Sequence, residues 1–285
     1  MVVGDRQVVR GGGRKKGKIG TDSRVVVVTG GTSGIGRAIT ERFLAGGARV
    51  ATISRNPEKL TGLEASSGVL LKIRADITIP EEVKHAAQVI AEKFAYDDGG
   101  GGRKSTPAKK ATPISVLVNN AGVSGPIKPL TEISPKEWDT TIAVNLTGTF
   151  LCCKYIVPLM IRAGGGGSII NISSMVAKRP SALRSPYSAS KLGVVGLTRS
   201  LSAELGRYGI TVNALCPGAV EGSRIDDVIV GYSRMRGESV ARTRQKMIDR
   251  LPFKRFARPE EVAGAVWFLA SEEARSITGQ DFDLA

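Results

Sequence analysis

Tyr187 and Lys191 stand four residues apart in Ser185-Pro186-Tyr187-Ser188-Ala189-Ser190-Lys191, and Val194, Leu197 and Leu201 follow at helical spacing. An i, i+4 pair shares one helix face, so the ammonium can reach the phenol. A phenol with an ordinary pKa of about 10 transfers protons poorly at neutral pH unless positive charge stabilises its anion. With Lys191 supplying that charge, Tyr187 becomes a general acid and base. The isolated pattern is also what a packing tyrosine produces, so its surroundings decide. Ser173 and Ser174 end the apolar run from Gly167 to Ile172, and Ser174 lies thirteen residues before Tyr187. A hydroxyl there can bond a substrate oxygen and orient its carbon. Asn145 is an amide inside Ile142-Ala143-Val144-Asn145-Leu146. Buried amides need partners, and Asn145 is expected to hold a water linking Lys191 to solvent.

A second set of residues suits a nucleotide. The apolar run from Arg24 enters Thr29-Gly30-Gly31-Thr32-Ser33-Gly34-Ile35-Gly36, after which Ile39, Phe43 and Leu44 mark a helix. Glycines between a strand and a helix let the backbone approach a pyrophosphate and aim the helix N-terminus at its charge. Glycine turns are common; the place at the end of the first strand makes this one specific. The next strand ends in Ile53-Ser54-Arg55-Asn56, without the carboxylate that would bond the ribose hydroxyls of NAD. Arg55 offers a cationic fork and Ser54 a hydroxyl to a 2′-phosphate, which favours NADP(H), with NAD(H) as the alternative if Arg55 is only a solvated residue. Asp76, in Arg74-Ala75-Asp76-Ile77, is placed either to accept from the adenine amino group or to cap a helix, although Thr78 before Pro80 suits the cap better. In Asn119-Asn120-Ala121-Gly122 the small residues leave room for adenosine, and the amides can tie neighbouring strand ends together.

The elements that must position these residues alternate along the chain. Strand-like runs at Arg24 to Thr29, Arg49 to Ser54, Gly68 to Ala75, Ser115 to Asn119, Gly167 to Ile172, Thr211 to Leu215 and Gln280 to Leu284 are separated by helix-length segments. That is the pattern of an α/β domain whose parallel sheet of about seven strands carries helices on both faces. One domain is expected over 23–285, with a low-complexity surface insertion at about 96–113. The charged segment at about 221–251 reads as a flap over a pocket or as an ordinary surface helix pair.

Composition narrows the classes. One histidine, His85, in a polar helical stretch, leaves no His-rich metal site and no Ser/His/Asp triad. Cys152 and Cys153 are adjacent and Cys216 precedes a proline, which fits a reducing compartment, expected to be the cytoplasm. The apolar runs are strand-sized, so no membrane span is expected. The net charge of +15 raises the question of a polyanion partner. Much of it is local, because residues 1 to 24 carry an excess of five positive charges around a triple-glycine run. We read 1–22 as a basic disordered tail without the apolar core of a secretory signal; its acid-poor character also fits organelle targeting. A basic stretch alone carries only non-specific affinity for nucleic acid, which disfavours that partner.

Together, Thr29 to Gly36, Asp76, Asn119 to Gly122, Asn145, Ser174, Tyr187 with Lys191, and Pro217-Gly218 resemble the classical short-chain dehydrogenase/reductase family, in order and over about Ser23 to Leu284. The general character is that of 3-oxoacyl-carrier-protein reductases. The resemblance implies a Rossmann-type doubly wound sheet, a Ser174-Tyr187-Lys191-Asn145 catalytic set, and hydride transfer between nicotinamide C4 and a carbonyl or alcohol carbon. It also implies a homotetramer, and cofactor contacts from Gly30, Thr32, Ser33, Gly34, Ile35, Gly36, Ser54, Arg55, Asp76, Ile77, Asn120, Ala121, Gly122, Tyr187, Lys191, Pro217 and Gly218. Three features depart from the pattern. Ala219-Val220-Glu221 replaces a common threonine, leaving the Val220 backbone as the contact; the chain stops at Ala285 where members continue, which suggests a shortened C-terminus; and the tail and insertion have no counterpart. A basic surface suits an acidic carrier protein. Polyol, sugar, steroid and xenobiotic substrates stay open because the flap differs from that subgroup's. A non-catalytic NADP(H) sensor is the rival class, disfavoured because a sensor needs no acid/base pair.

Overall fold

A computed structural model describes residues 24–63, 68–95 and 114–284. The expected basic tail at 1–22 and insertion at 96–113 lie outside the described residues. The run Val25-Val26-Val27-Val28 has no polar alternation, which is the composition of a strand covered on both faces. It forms β1 (Val25–Thr29), every residue of which is buried. The other strands are β2 (Arg49–Ser54), β3 (Val69–Arg74), β4 (Ile114–Asn119), β5 (Gly167–Ile172), β6 (Ile210–Pro217) and β7 (Asp281–Leu284). All pair in parallel in the order β3-β2-β1-β4-β5-β6-β7. This is the doubly wound Rossmann sheet that the sequence implies.

The helices, in chain order, are α1 (Gly34–Ala45), α2 (Pro80–Ala95), α3 (Pro135–Ile142), α4 (Gly148–Ala163), α5 (Ser185–Leu205), α6 (Ser223–Arg236), α7 (Val240–Asp249) and α8 (Pro259–Leu269). Alternate residues of β1 face opposite cores. Val26 and Val28 pack with Ile39 and Phe43 of α1 and with Val262 and Val266 of α8. Val25 and Val27 belong to the other core, with Ile90 of α2 and Ile156 and Met160 of α4. His85 is exposed on α2, as expected of a solvated helix residue.

Between α3 and α4 the helix continues through a π-helical stretch at Ala143–Thr147, so Pro135–Ala163 is one helical run. Among the described residues it is the one helix long and apolar enough to cross a bilayer by length and composition, and half of its apolar window is buried. Inspection of strand-sized apolar runs did not anticipate it. Cys152, Ile156 and Met160 spend its apolar face on the core of the sheet.

The chain winds from β1 outward through β2 and β3 and then returns to β4 on the other side of β1. Strand order therefore reverses between β1 and β4, and the carboxyl ends of the strands open a crevice there. The glycine turn and Asn120 lie at that crevice. The segment expected as a flap folds as the helix pair α6 and α7, and it also borders the cavity through Ile225, Val228, Tyr232, Met247 and Leu251.

Candidate active site

A cavity of about 600 Å³, a size suited to a cofactor and small substrate, runs along the strand ends from Arg55 to Tyr187. At its first end, β1 passes through Gly30 into α1. Ser33 is the N-cap of α1 in an extended conformation, and its hydroxyl makes no capping hydrogen bond. The first-turn amides of α1 are left for an anion. Gly34 has φ +49 with open space where a side chain would stand. Gly36 has the opposite role: a Cβ there would sit 2.1 Å from the Gly30 oxygen and 2.4 Å from Asn120 Nδ2. It is the close approach of turn to strand end, and it stands just behind the cavity wall.

Amides lock the neighbouring strand ends. Asn120 Nδ2 donates to the oxygens of Thr29 and Gly30 at 3.0 and 3.1 Å, while Thr29 Oγ1 accepts from the backbone of Asn120 and Ala121. Asn119 Nδ2 donates to Asn171 Oδ1 at 2.8 Å, joining β4 to β5. Asp76 Oδ1 accepts from the backbone and hydroxyl of Thr78, which closes the turn after β3, and Asp76 also lines the cavity with Ile77. At the end of β2, Ser54 and Arg55 reach the cavity together with Lys59, which sequence reading missed. The Ser54 hydroxyl is buried without a hydrogen-bond partner. An unsatisfied hydroxyl, open helix amides and the cleared space at Gly34 fit the phosphates of a dinucleotide.

At the other end, α5 brings Tyr187 to the cavity wall and keeps Lys191 behind it. Lys191 is 2% exposed; Nζ donates to the Ile172 oxygen at 2.8 Å and stands 5.9 Å from the Tyr187 ring centre. Burial, then the nearby Arg224, lowers its pKa to about 7, with Cys216 opposing. A permanent cation completes the surroundings of the phenol, because the Arg184 guanidinium lies 4.4 Å from the centre of the Tyr187 ring. The Ser174 hydroxyl is held only by long contacts, donating to the Pro217 oxygen at 3.5 Å and accepting from Val176 N at 3.3 Å. It can turn toward a ligand at little cost. Ser173 is committed instead, donating at 2.8 Å to the Lys191 oxygen inside α5.

Asn145 is fully buried in the π-helical stretch. Its Oδ1 accepts from Val123 N at 2.8 Å, and Nδ2 donates to the Val123 oxygen and to Ser190 Oγ, both at 3.0 Å. Both amide protons are therefore used within the protein. These bonds brace Val123 against Ser190 of α5.

The structure therefore puts Ser174, Tyr187, Gly30, Thr32, Ser33, Gly34, Ile35, Ser54, Arg55, Asp76, Ile77, Asn120, Ala121, Gly122, Pro217, Gly218 and Val220 on one cavity wall. Gly36, Asn145 and Lys191 stand behind it. Val220 is held by a parallel bridge to Ala257, and Gly218 N donates to the Leu284 oxygen, so the segment just before α8 and the end of β7 brace this wall. Arg179, Arg184 and Arg224 also border the cavity and were missed. Arg184 precedes Tyr187 by three residues, a spacing that signals a shared face; Arg224 had no local signal.

A doubly wound sheet with a glycine turn at its switch point and a tyrosine backed by lysine in the same cavity defines a dinucleotide-binding fold with an acid/base site. The profile described as short chain dehydrogenase matches residues 24–99, and that described as Enoyl-(Acyl carrier protein) reductase matches residues 105–284. The chain is 36% identical over 264 residues to D-threitol dehydrogenase of Mycolicibacterium smegmatis, covering 91% of this chain and 90% of that protein. It is 33% identical to the 3-oxoacyl-[acyl-carrier-protein] reductase of Thermotoga maritima, covering 91% and 95%. The crystal structure of a variant of actinorhodin polyketide ketoreductase with NADPH superposes with a TM-score of 0.81 at 32% identity, covering 93% of this chain and 97% of that one. The protein belongs to the short-chain dehydrogenase/reductase family of nicotinamide-dependent oxidoreductases.

Proposed function

We propose that the protein is an NADP(H)-preferring enzyme that interconverts a secondary alcohol and its carbonyl, with Tyr187 as acid and base. The observation that carries this reading is that the Tyr187 and Ser174 side chains line the same cavity as the glycine turn, with Lys191 sealed behind the phenol. A bound nicotinamide supplies the hydride in reduction and accepts it in oxidation. Ser174 Oγ donates to the carbonyl oxygen and orients the carbon. As the new carbon–hydrogen bond forms, the carbonyl π pair moves to oxygen, which takes its proton from Tyr187 Oη. In oxidation Tyr187 takes that proton back. Lys191, when protonated, and Arg184 set positive charge 5.9 and 4.4 Å from the centre of the Tyr187 ring.

The preference for NADP(H) rests on Arg55 and Lys59 beside the unpartnered Ser54 hydroxyl. The nearby carboxylate, Glu58, is held by Arg74 at 2.9 Å. Oxidation or reduction of nicotinamide with a panel of ketones and alcohols tests the reading. Turnover abolished by Tyr187→Phe supports it; cofactor binding without turnover, indifferent to Tyr187→Phe, would favour a sensor. We further infer a homotetramer by family resemblance, which light scattering checks. The three buried free cysteines support a cytoplasmic location.

A further inference from the structure

Arg184 is 5% exposed, yet what its guanidinium meets within the protein is an aromatic face. Its Nε is sealed without a hydrogen-bond partner, and among the described residues no carboxylate forms an ion pair with it. The neighbours whose charge it feels are Tyr187, Tyr232 and another cation, Arg224. Arg224 donates one Nη2 hydrogen bond to the Gly122 oxygen at 2.9 Å and also borders the cavity. A buried charge without a counter-ion is costly, and stacking on one ring returns only part of that cost. The backbone holds Arg184 in place at further expense, because Leu183 before it has φ +69. Tyr232 Oη donates to the Ala182 oxygen at 3.1 Å and ties α6 to this same turn. Of the two carboxylates on the cavity wall, Asp76 is engaged by Thr78, and Glu221 lies where it acts on Arg255.

We propose that the substrate carries an anionic oxygen group, a carboxylate or a phosphate, a few bonds from its reacting carbon, and that the terminal nitrogens of Arg184, with Arg224, receive it. A planar fork beside the phenol matches two anionic oxygens. A neutral polyol or ketone leaves this charge unanswered, whereas an oxo acid or hydroxy acid answers it while its carbonyl rests on Tyr187 and Ser174. The inference builds on the acid/base reading of Tyr187 and names the substrate class for it.

The test uses the full chain with NADPH and matched pairs: short α-, β- and γ-oxo acids against their methyl esters, and dihydroxyacetone phosphate against dihydroxyacetone. We expect kcat/KM for an anionic member to exceed that of its neutral partner by about tenfold or more, mainly through KM. Arg184→Gln should bring the ratio close to parity, and Arg184→Lys should restore part of it. The carboxylate and phosphate pairs, read separately, show which anion is preferred. Calorimetric binding of the same acids and esters to the complex with NADP+ keeps the outcomes distinct. Arg184-dependent binding of the acids without turnover would sink the redox reading and leave the anion site standing. Esters that turn over as well as acids, or an acid-to-ester ratio that survives Arg184→Gln, would overturn the proposal. So would equal shifts of the pH profiles for acid and ester at an unchanged ratio, the sign that Arg184 only acidifies the phenol.

Discussion

At the cofactor end of the cavity the glycine turn and strand ends are main chain and short side chains whose polar groups largely bond one another, Asn120 to Thr29 and Gly30, Asn119 to Asn171, Asp76 to Thr78, with Arg55, Lys59 and the Ser54 hydroxyl beside them on the phosphate side. At the substrate end the wall is made of long side chains brought from separate elements, and the groups facing the cavity are under-committed: Ser174 on long contacts, Arg184 stacked on a ring. The first end is built to hold one shape. The second holds charge in readiness, and its specificity comes from what is left unpaired. A dinucleotide is large and invariant and can be met by backbone geometry, whereas a small substrate must be distinguished by a few polar atoms.

Changes at the two ends should separate accordingly. Lys191→Met removes the charge behind the phenol and should lower kcat by about a hundredfold or more, with little change in the binding of the adenosine half of the cofactor. A variant that loses binding and kcat in parallel would blur the distinction, as cofactor titration beside steady-state rates would reveal. Gly36→Val forces a side chain into the Gly30 oxygen at the 2.1 Å approach and should cost about 1–3 kcal/mol of stability, read as a lower unfolding midpoint, with weaker cofactor binding. Arg55→Ala should weaken NADP(H) binding about tenfold while NAD(H) binding hardly moves, and equal losses would remove the phosphate role.

Lys191 also links the site to pH. Its pKa of about 7 in the folded protein lies below the value of about 10.4 in an unfolded chain, so between those values the unfolded state binds the extra proton. The burial penalty is full below pH 7 and fades as pH rises toward 10. Measured by urea unfolding without cofactor, the wild type should therefore gain stability relative to Lys191→Met across that window, a gradual change. A constant difference would mean that Lys191 is not desolvated as described.

What was legible in the sequence follows the same division. The glycine turn, the amides of Asn119 and Asn120, and the Tyr187 and Lys191 pair are imposed by local geometry, and so they leave a local pattern of residue types. The valine run of β1 and the strand ends were readable because a strand covered on both faces must be apolar throughout. Asn145 was readable as important but not as a brace, because the partners at Val123 and Ser190 and the π-helical stretch are tertiary facts. For Arg184 the one local sign was its spacing of three residues from Tyr187. Its burial depends on α6 and on the strained turn at Leu183, neither of which spacing announces. Lys191 was read as a simple ammonium, and only its enclosure shows that its charge is marginal at neutral pH, which gives Arg184 its importance.

The central claim is that Tyr187 delivers the proton in a hydride transfer inside this cavity. Its most direct test is a single turnover with NADPH deuterated at C4, following label into the alcohol product for wild type and Tyr187→Phe, with cofactor binding measured on the same samples. The account predicts label in the wild-type product and transfer slower by about a thousandfold in the variant at unchanged binding. Equal labelling rates in both proteins would contradict it.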